Sequence, residues 1–204
     1  MDTKERIITT AQHLFMYKGV RSVTMDDISR ELGMSKKTLY QYFGNKAEIV
    51  EGVTDYHFHG ERCLMEEIQR SATDPLDVMV QSLKAFAKSF RDIPTNMIHD
   101  VQKYYPKSWA RFHSYKTEYV LPVMRKNLKA GVEAGLYRKD MDLELVAKLR
   151  LEQIEMVLDP IRFPPQSYDI GKVQIEQYAL FLHGIVTMKG KQLIYKYLNQ
   201  PEDE

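Results

Sequence analysis

The chain has 204 residues, 29 basic against 28 acidic side chains and 44% apolar residues, which excludes a disordered or fibrous protein. Its single cysteine, Cys63, leaves no partner for an internal disulfide and is typical of a reducing compartment. The N-terminus has no apolar signal segment, and the longest uncharged run, residues 177–188, is too short to cross a bilayer. We therefore expect a cytoplasmic protein with no membrane partner.

The first part of the chain predicts four helices, each with its own start and stop signals. The first covers residues 3–18 and has apolar residues at helical spacing. The fourth extends from residue 46 to about residue 70, and the two helices between them are short. The predicted caps and stops, in chain order, are Gly19, Thr24 with Asp27, Gly33, Ser35, Gly44, and Asn45 with Glu48.

The rest of the chain predicts further helices that are separated by proline- and glycine-containing breaks. Pro122 lies inside the longest of them and is expected to kink it or to end it early. The sequence has no alternating strand pattern, internal repeat or low-complexity tract, so we expect an all-α protein. The predicted helices cover residues 75–91, 95–104, 107–130, 142–158, 170–188 and 190–198.

Residues 24–43 predict a helix-turn-helix, with two short helices joined by a tight turn at residues 33–35. The segment 32–47 has three lysines and two tyrosines but no carboxylate. On charge alone, this segment can be a nucleic-acid contact or a solvated helix end. The second helix favours the DNA contact, because its exposed side chains can donate hydrogen bonds to base edges and phosphates. These side chains are Lys36, Lys37, Thr38, Tyr40, Gln41 and Tyr42.

The segment from residue 5 to residue 52 resembles the DNA-binding domain of the TetR/AcrR family of transcriptional regulators. The resemblance is densest in the run TLYxYFxxK at residues 38–46. It implies a three-helix helix-turn-helix domain over residues 1–48 and a helical ligand-binding and dimerisation domain over residues 49–204. It also implies a homodimer that represses transcription from a palindromic operator on double-stranded DNA until a small effector releases it.

The resemblance assigns roles to individual side chains of the first domain. Lys36, Lys37 and Gln41 stand at positions that read bases. The position of Lys37 is often a small residue in the family, so this lysine can read a guanine or hold a phosphate, and the sequence leaves both open. The implied contacts to backbone phosphates are Thr24, Thr38, Tyr40, Tyr42 and Lys46.

The predicted helices over residues 142–158 and 170–188 are expected to form the dimer interface as half of an antiparallel four-helix bundle. Gly184 permits close approach, and ordinary monomer core is the alternative. The predicted interface residues are Leu145, Leu149, Glu152 or Gln153, and Met156 on the first helix, with Ile175, Tyr178, Leu182 and Ile185 on the second.

The middle helices are rich in aromatic residues and methionine, which suit an ordinary core or a pocket for an apolar or aromatic effector. Trp109, Phe112, Tyr119 and Val123 share one face at helical spacing. In the family this domain is often hollow, which favours the pocket. The candidate ligand-binding residues are Phe86, Met97, Trp109, Phe112, Tyr119, Gln153 and Met156.

His59, Cys63 and Glu67 stand one turn apart on the fourth helix. Because each turn rises about 5.4 Å, a single ion can be held by two of them but not by all three. We expect no metal and no cofactor, with Cys63 buried and His59 exposed. No nucleophile elbow, phosphate loop or carboxylate pair points to an enzyme. A helical protein that only sequesters a small molecule is the second hypothesis, and the intact donor set of the second short helix argues against it.

Overall fold

A computed structural model describes residues 2–92, 95–164 and 166–198, and helices form almost all of the regular structure in these ranges. The all-α prediction is confirmed. The first helices are α1 (Thr3–Lys18), α2 (Met25–Glu31), α3 (Lys36–Tyr42) and α4 (Lys46–Ser71). They are followed by α5 (Pro75–Asp92), α6 (Thr95–Tyr104), α7 (Pro106–Ser114), α8 (Leu121–Glu133), α9 (Leu143–Val157), α10 (Ile170–Ile185) and α11 (Met188–Leu198).

The chain divides into two compact units. The first unit consists of Met1–Arg62 and Asp92–Tyr115, and the second consists of Cys63–Arg91 and Lys116–Glu204. Helix α4 therefore contributes its first part to one unit and its last part to the other. The functional division at residue 48 stays a prediction, since it concerns what the two parts bind.

The core of the first unit is built on the inner faces of α1 to α4. Leu39 of α3 is fully buried in it, and Phe43, which ends α3, is nearly so. Residues of α6 and of the start of α7 pack against the same cluster, namely Met97, Val101 and Tyr105. The helix-turn-helix thus shares its core with two later helices. The buried residues of α1 are Ile7, Ala11, Leu14 and Phe15, as its helical spacing predicts.

The helix predicted over residues 107–130 is interrupted in the middle. Helix α7 ends at Ser114, a π-helical segment covers Tyr115–Val120, and α8 begins at Leu121 with Pro122 in its first turn. Proline has no N–H, and its ring clashes with the carbonyl four residues earlier, so the disturbance falls just before it, as expected. The α-helical period that placed Trp109 and Tyr119 on one stripe does not hold across this segment.

The core of the second unit contains the inner faces of α5, α8, α9, α10 and α11. The stripe of α10 that the sequence assigns to a dimer interface belongs to this core: Tyr178, Leu182 and Ile185 are at most 4% exposed, and Ile175 packs against them. That part of the interface prediction is wrong. Helix α10 is apolar on more than one face, so its periodicity does not tell which face is buried.

Helix α10 also ends earlier than predicted, at Ile185, and α11 begins at Met188. Between them, Val186 forms an isolated antiparallel bridge with Tyr137. The Tyr137 side chain is fully buried, and its hydroxyl donates to the carbonyl of Pro75 at 2.9 Å. This ring passes directly over Gly131 of α8.

Gly131→Ala is expected to destabilise the protein. A Cβ at residue 131 would lie 2.0 Å from two carbons of the buried Tyr137 ring, so the ring or the helix has to move. Overpacking of this kind costs about 1–3 kcal/mol, which exceeds the gain of about 0.5–1 kcal/mol that alanine usually brings to a helix. Urea unfolding followed by circular dichroism measures the difference.

Gly60→Ala is the matched control, because residue 60 is also inside a helix but has open space at its Cβ position. This variant should be at least as stable as the native chain. If both variants lost the same stability, the contact with the Tyr137 ring would not be the cause.

Candidate DNA-binding surface

The turn between α2 and α3 depends on a glycine. Gly33 has a φ of +63°, a conformation that L side chains adopt only with strain. The N–H of Met34 then donates to the carbonyl of Ser29 at 3.0 Å and closes the turn. Ser35 follows as the cap of α3, since its Oγ accepts a hydrogen bond from the N–H of Thr38 at 3.1 Å. Both signals lie where the sequence predicts them.

The start of α4 holds the C-terminal end of α3. The Oδ1 atom of Asn45 accepts from the N–H of Glu48 at 3.1 Å, which is the predicted cap. The Glu48 carboxylate in turn accepts from the N–H of Gly44 at 2.7 Å. Helix α3 is therefore fixed at both ends by short-range hydrogen bonds.

The polar candidates on α3 face outward. Tyr40 is 51% exposed and Tyr42 is 43% exposed, and Lys37 and Gln41 are also exposed. Thr38 is half-buried, and its hydroxyl lies 2.8 Å from Oγ of Ser35. The structure thus brings the predicted base readers and most of the predicted phosphate contacts together on the outer surface of one helix.

Thr24 begins α2 and forms the predicted reciprocal cap with Asp27. Its N–H and its hydroxyl donate to the Asp27 carboxylate at 2.8 and 2.6 Å, and the N–H of Asp27 donates back to the hydroxyl oxygen. The hydroxyl bond is the main cause that lowers the pKa of the Asp27 carboxyl. A phosphate that binds the Thr24 hydroxyl has to share or replace this bond.

Lys36 is paired with a carboxylate that the sequence reasoning did not consider. Its Nζ lies 2.5 Å from the carboxylate of Asp26 in the first turn of α2, and both side chains are largely exposed. An exposed pair of this kind is worth about 0–1 kcal/mol, so it does little for stability. The pair holds the Lys36 ammonium next to a negative charge. This charge also repels the phosphates of an approaching DNA duplex.

Lys46 lies near the start of α4 and is half-buried. Its ammonium donates to the carbonyl of Arg21 at 3.2 Å. Burial lowers the pKa of Lys46, and the negative charges of Asp100 and Asp27 oppose that shift. The Arg21 guanidinium itself lies 4.7 Å from the ring centre of Tyr104, at the end of α6. Arg21 is thus a further exposed cation beside this surface, and the sequence reasoning did not single it out.

An arginine ties α7 to α4 within the first unit. The Arg111 guanidinium donates to the carboxylates of Glu51 and Asp55, each at 2.9 Å. These carboxylates stand one turn apart on α4, and the hydrogen bond to Glu51 is the main cause that raises the pKa of Arg111. Helix α7 is therefore joined to the helix that leaves the helix-turn-helix.

The candidate ligand-binding residues are divided between the two units. Trp109 and Phe112 lie in the first unit with ring centres 4.8 Å apart, and Met97 packs there against the core of the helix-turn-helix. In the second unit, the side-chain oxygen of Gln153 is buried without a hydrogen-bond partner. The remaining candidates, Phe86, Tyr119 and Met156, also belong to the second unit. Their role in effector binding stays a prediction.

Cys63 is exposed, so the prediction of a buried cysteine is wrong. His59 is exposed, as expected. Within the described ranges, no group of three or more His, Cys, Asp or Glu side chains could hold a metal ion. No helix in the described part of the chain is long and apolar enough to cross a membrane.

Comparison with known proteins identifies the N-terminal segment. Residues 7–53 match the family model of bacterial regulatory proteins of the tetR family. This segment is a TetR-type domain. The matched segment begins inside α1 and extends through α2 and α3 to the start of α4, which is where the polar surface lies. TetR proteins are DNA-binding transcriptional regulators and not enzymes.

One relative matches most of the chain. An uncharacterized HTH-type transcriptional regulator of Bacillus subtilis, YvaF, is 25% identical over 183 residues, 89% of this chain and 94% of its own. Shorter matches to other curated regulators cover 45–49% of this chain and 32–49% of theirs.

Two solved structures share the fold over nearly the whole chain. A transcriptional regulator from Cytophaga hutchinsonii has a TM-score of 0.72 at 23% identity, covering 90% of this chain and 98% of its own. A transcriptional regulator from Saccharomonospora viridis, solved in complex with choline, has a TM-score of 0.72 at 16% identity, covering 90% and 97%. At these identities the comparison supports the fold of the second unit and not its ligand.

Asp26→Asn is expected to strengthen binding to DNA while leaving stability within about 1 kcal/mol, because the pair with Lys36 is exposed. The variant releases the Lys36 ammonium and removes a charge that repels phosphate. We expect affinity for a nonspecific duplex at low salt to rise about two- to fivefold, as measured by fluorescence anisotropy.

Glu31→Gln is the control for Asp26→Asn, because it removes one negative charge from the other end of α2. It should change the affinity less. Equal gains in the two variants would mean that net charge, rather than the release of Lys36, sets the affinity.

Proposed function

We propose that the chain is a homodimeric repressor that binds a palindromic DNA operator and is released by a small apolar or aromatic ligand. The observation that carries the DNA contact is the outer surface of α3. It presents lysine, threonine, tyrosine and glutamine side chains and no carboxylate, on a helix whose Leu39 is fully buried. The match of residues 7–53 to the tetR family supports the regulatory role.

In the proposed complex, α3 enters the major groove of each half-site. Lys36, Lys37 and Gln41 face base edges, because amide and ammonium groups can read the donor and acceptor pattern there. The neighbouring side chains bind the phosphate backbones of the two DNA strands and so set the position of α3 in the groove. The proposed phosphate contacts are Thr24, Thr38, Tyr40, Tyr42 and Lys46.

We propose the outer faces of α9 and α10 as the dimer interface. Leu145 and Leu149 of α9 are 55% and 52% exposed, and Leu180 of α10 is 73% exposed. Gly184 stands one turn after Leu180 and has open space at its Cβ position. The two helices are in contact, since the Gln174 amide donates to the carbonyl of Ile154 at 2.9 Å. Two such apolar faces suit a four-helix bundle with a second copy.

Helix α4 is the proposed connection between ligand and DNA. It begins at Lys46 beside the DNA-binding surface, and its last part, Cys63–Ser71, belongs to the second unit. A ligand that binds one position of α4 more tightly therefore changes the separation of the helix-turn-helix domains of the two subunits. It can do so only by binding one separation more tightly than the other.

Selection of bound sequences from a pool of random DNA duplexes tests this proposal. The native chain should enrich a palindrome whose half-sites lie about one helical turn, or a multiple of it, apart. The triple variant Lys36→Ala, Lys37→Ala and Tyr42→Ala should enrich none. Native mass spectrometry of the same sample shows whether the protein is a dimer and free of ligand. A folded, ligand-free dimer that enriched no palindrome would overturn the proposal.

Gln41→Ala and Tyr42→Ala are expected to affect DNA binding in different ways. Losing Gln41 should cost about 1–3 kcal/mol at one base position and little elsewhere, whereas losing Tyr42 should weaken binding to every sequence. Anisotropy titrations with the selected operator and its single-base variants measure both effects. Gln41 does not read a base if its variant weakens all duplexes equally.

The same titrations decide the role of Lys37. If Lys37→Ala leaves the sequence preference unchanged and reduces the salt slope by about 0.9, this lysine holds a phosphate. If the preference at a guanine is lost, it reads that base.

Leu149→Asp combined with Leu180→Asp is expected to convert the dimer to a monomer, because both side chains lie on the proposed apolar interface. Sedimentation equilibrium measures the oligomeric state. Ile161→Asp is the control, since Ile161 is 88% exposed but lies outside α9 and α10. A double variant that remained a dimer would place the interface elsewhere.

A further inference from the structure

The core of the second unit holds a positive charge without a negative partner. Arg150 lies on the inner face of α9 and is only 2% exposed. Its Nη1 donates to the side-chain oxygen of Gln177 at 3.1 Å, but its Nε is buried without any hydrogen-bond partner. Burial lowers the pKa of this guanidinium, yet an arginine keeps its proton in a folded protein.

Aromatic rings surround the guanidinium without neutralising it. Its Cζ lies 4.5 Å from the ring centre of Tyr178 and 5.7 Å from that of Phe181. Burial raises the pKa of Tyr178 to about 12, so its phenol is neutral at physiological pH. The ring faces attract the cation but supply no charge.

The carboxylates of α9 itself and of α10 either pair with other residues or are exposed. On α9, Glu144 pairs with Arg125 at 2.6 Å, Glu152 pairs with Lys148 at 2.7 Å, and Glu155 pairs with Lys116. On α10, Glu176 is the only carboxylate, and it is exposed. In the part of the chain that the structure describes, Arg150 therefore forms no ion pair.

A second unsatisfied group stands one turn further along α9. The side-chain oxygen of Gln153 is buried without a hydrogen-bond partner, and residues three apart on a helix share a face. Because the oxygen and nitrogen of a glutamine amide can exchange places by rotation, Gln153 can present its NH₂ group to an acceptor. Arg150 and Gln153 together therefore offer donors for more than one acceptor atom.

We propose that Arg150 and Gln153 bind the carboxylate of a small apolar acid. The planar guanidinium matches a carboxylate, and one positive charge balances the single negative charge of this group. A phosphate monoester carries almost two negative charges at neutral pH, which would leave an excess charge in the core. The rings of Tyr178 and Phe181 suit the apolar body of the acid. This inference rests on the proposed function and names the chemical class of its releasing ligand.

Calorimetric titration of the full chain tests the inference with matched acids and amides. The probes are 4-phenylbutyrate and decanoate, their two neutral primary amides, and phenyl phosphate, all at constant ionic strength. The native chain should bind at least one acid about tenfold or more tightly than its amide, since only the acid gives a charge-assisted bond with Arg150. Equal binding of acid and amide, or tighter binding of phenyl phosphate than of either acid, would overturn the assignment.

Three variants separate binding from a structural role. Arg150→Met keeps the volume and removes the charge, so it should not lower the melting temperature and should lose the preference for acid over amide. Arg125→Met removes an exposed arginine from the same unit and should keep the preference. Arg150→Lys keeps the charge but not the planar fork, so the preference should fall part of the way.

Gln153→Glu tests the inference without any ligand. It places a carboxylate one helical turn from Arg150, so it should raise the melting temperature and abolish acid binding. Gln153→Leu is its uncharged control and should not raise the melting temperature to the same extent. The inference is wrong if Gln153→Glu is no more stable than Gln153→Leu.

Two further results would overturn the inference. One is a lower melting temperature for Arg150→Met, which would mean that the guanidinium is already satisfied in the folded chain. The other is a weaker dimer for this variant with unchanged acid binding, which would assign the missing anion to a second copy.

DNA affinity is measured separately for every variant. A chain that binds acid but stays on DNA would contradict the proposed release, whereas a chain that binds DNA but no acid would contradict only this inference.

Discussion

The candidate DNA-binding surface depends on the burial of Leu39 and Phe43. Helix α3 has only seven residues, and an isolated helix below about 12–15 residues is marginal in water. The Ser35 cap contributes about 1 kcal/mol, whereas burial of each large apolar side chain contributes about 1.5–3 kcal/mol. Tertiary packing therefore makes α3 a helix at all. With Leu39 held inward, the helical period directs the lysines and tyrosines outward.

The same packing joins the candidate DNA-binding surface to later parts of the chain. Helix α6 shares the core in which Leu39 is buried, so a movement of α6 changes the support of α3. Arg111 adds a second connection, from α7 to Glu51 and Asp55 on α4. Because this guanidinium is 41% exposed, its bonds add little to stability and mainly fix the direction of α7 relative to α4. The first unit is therefore more than a helix-turn-helix.

The features that were predicted correctly are those set by residues close together in the sequence. The caps at Thr24, Ser35 and Asn45 were found because a capping side chain bonds its own helix within three residues. The outward set on α3 followed from helical spacing. The buried face of α10 did not, since that helix is apolar on more than one side. Contacts between separate helices, such as Lys36 with Asp26, leave no periodic trace in the sequence and could not be predicted.

Arg150 is a charged residue at a position of α9 where the helical pattern calls for an apolar one. It stands on the buried stripe of α9 beside Ala147 and Leu151, where an apolar residue would complete the core. Removing a charge from water costs several kcal/mol. The two ring contacts and the hydrogen bond to Gln177 offset part of this cost, but none of them supplies a negative charge. A signal for Arg150 was present in the sequence, since a charge on a core stripe breaks the helical pattern. Such breaks are expected at functional sites, where a partner supplies the missing interaction. A core that kept this cation only for folding would be more stable with a methionine in its place, which makes a bound anion the simpler physical reason for an arginine there.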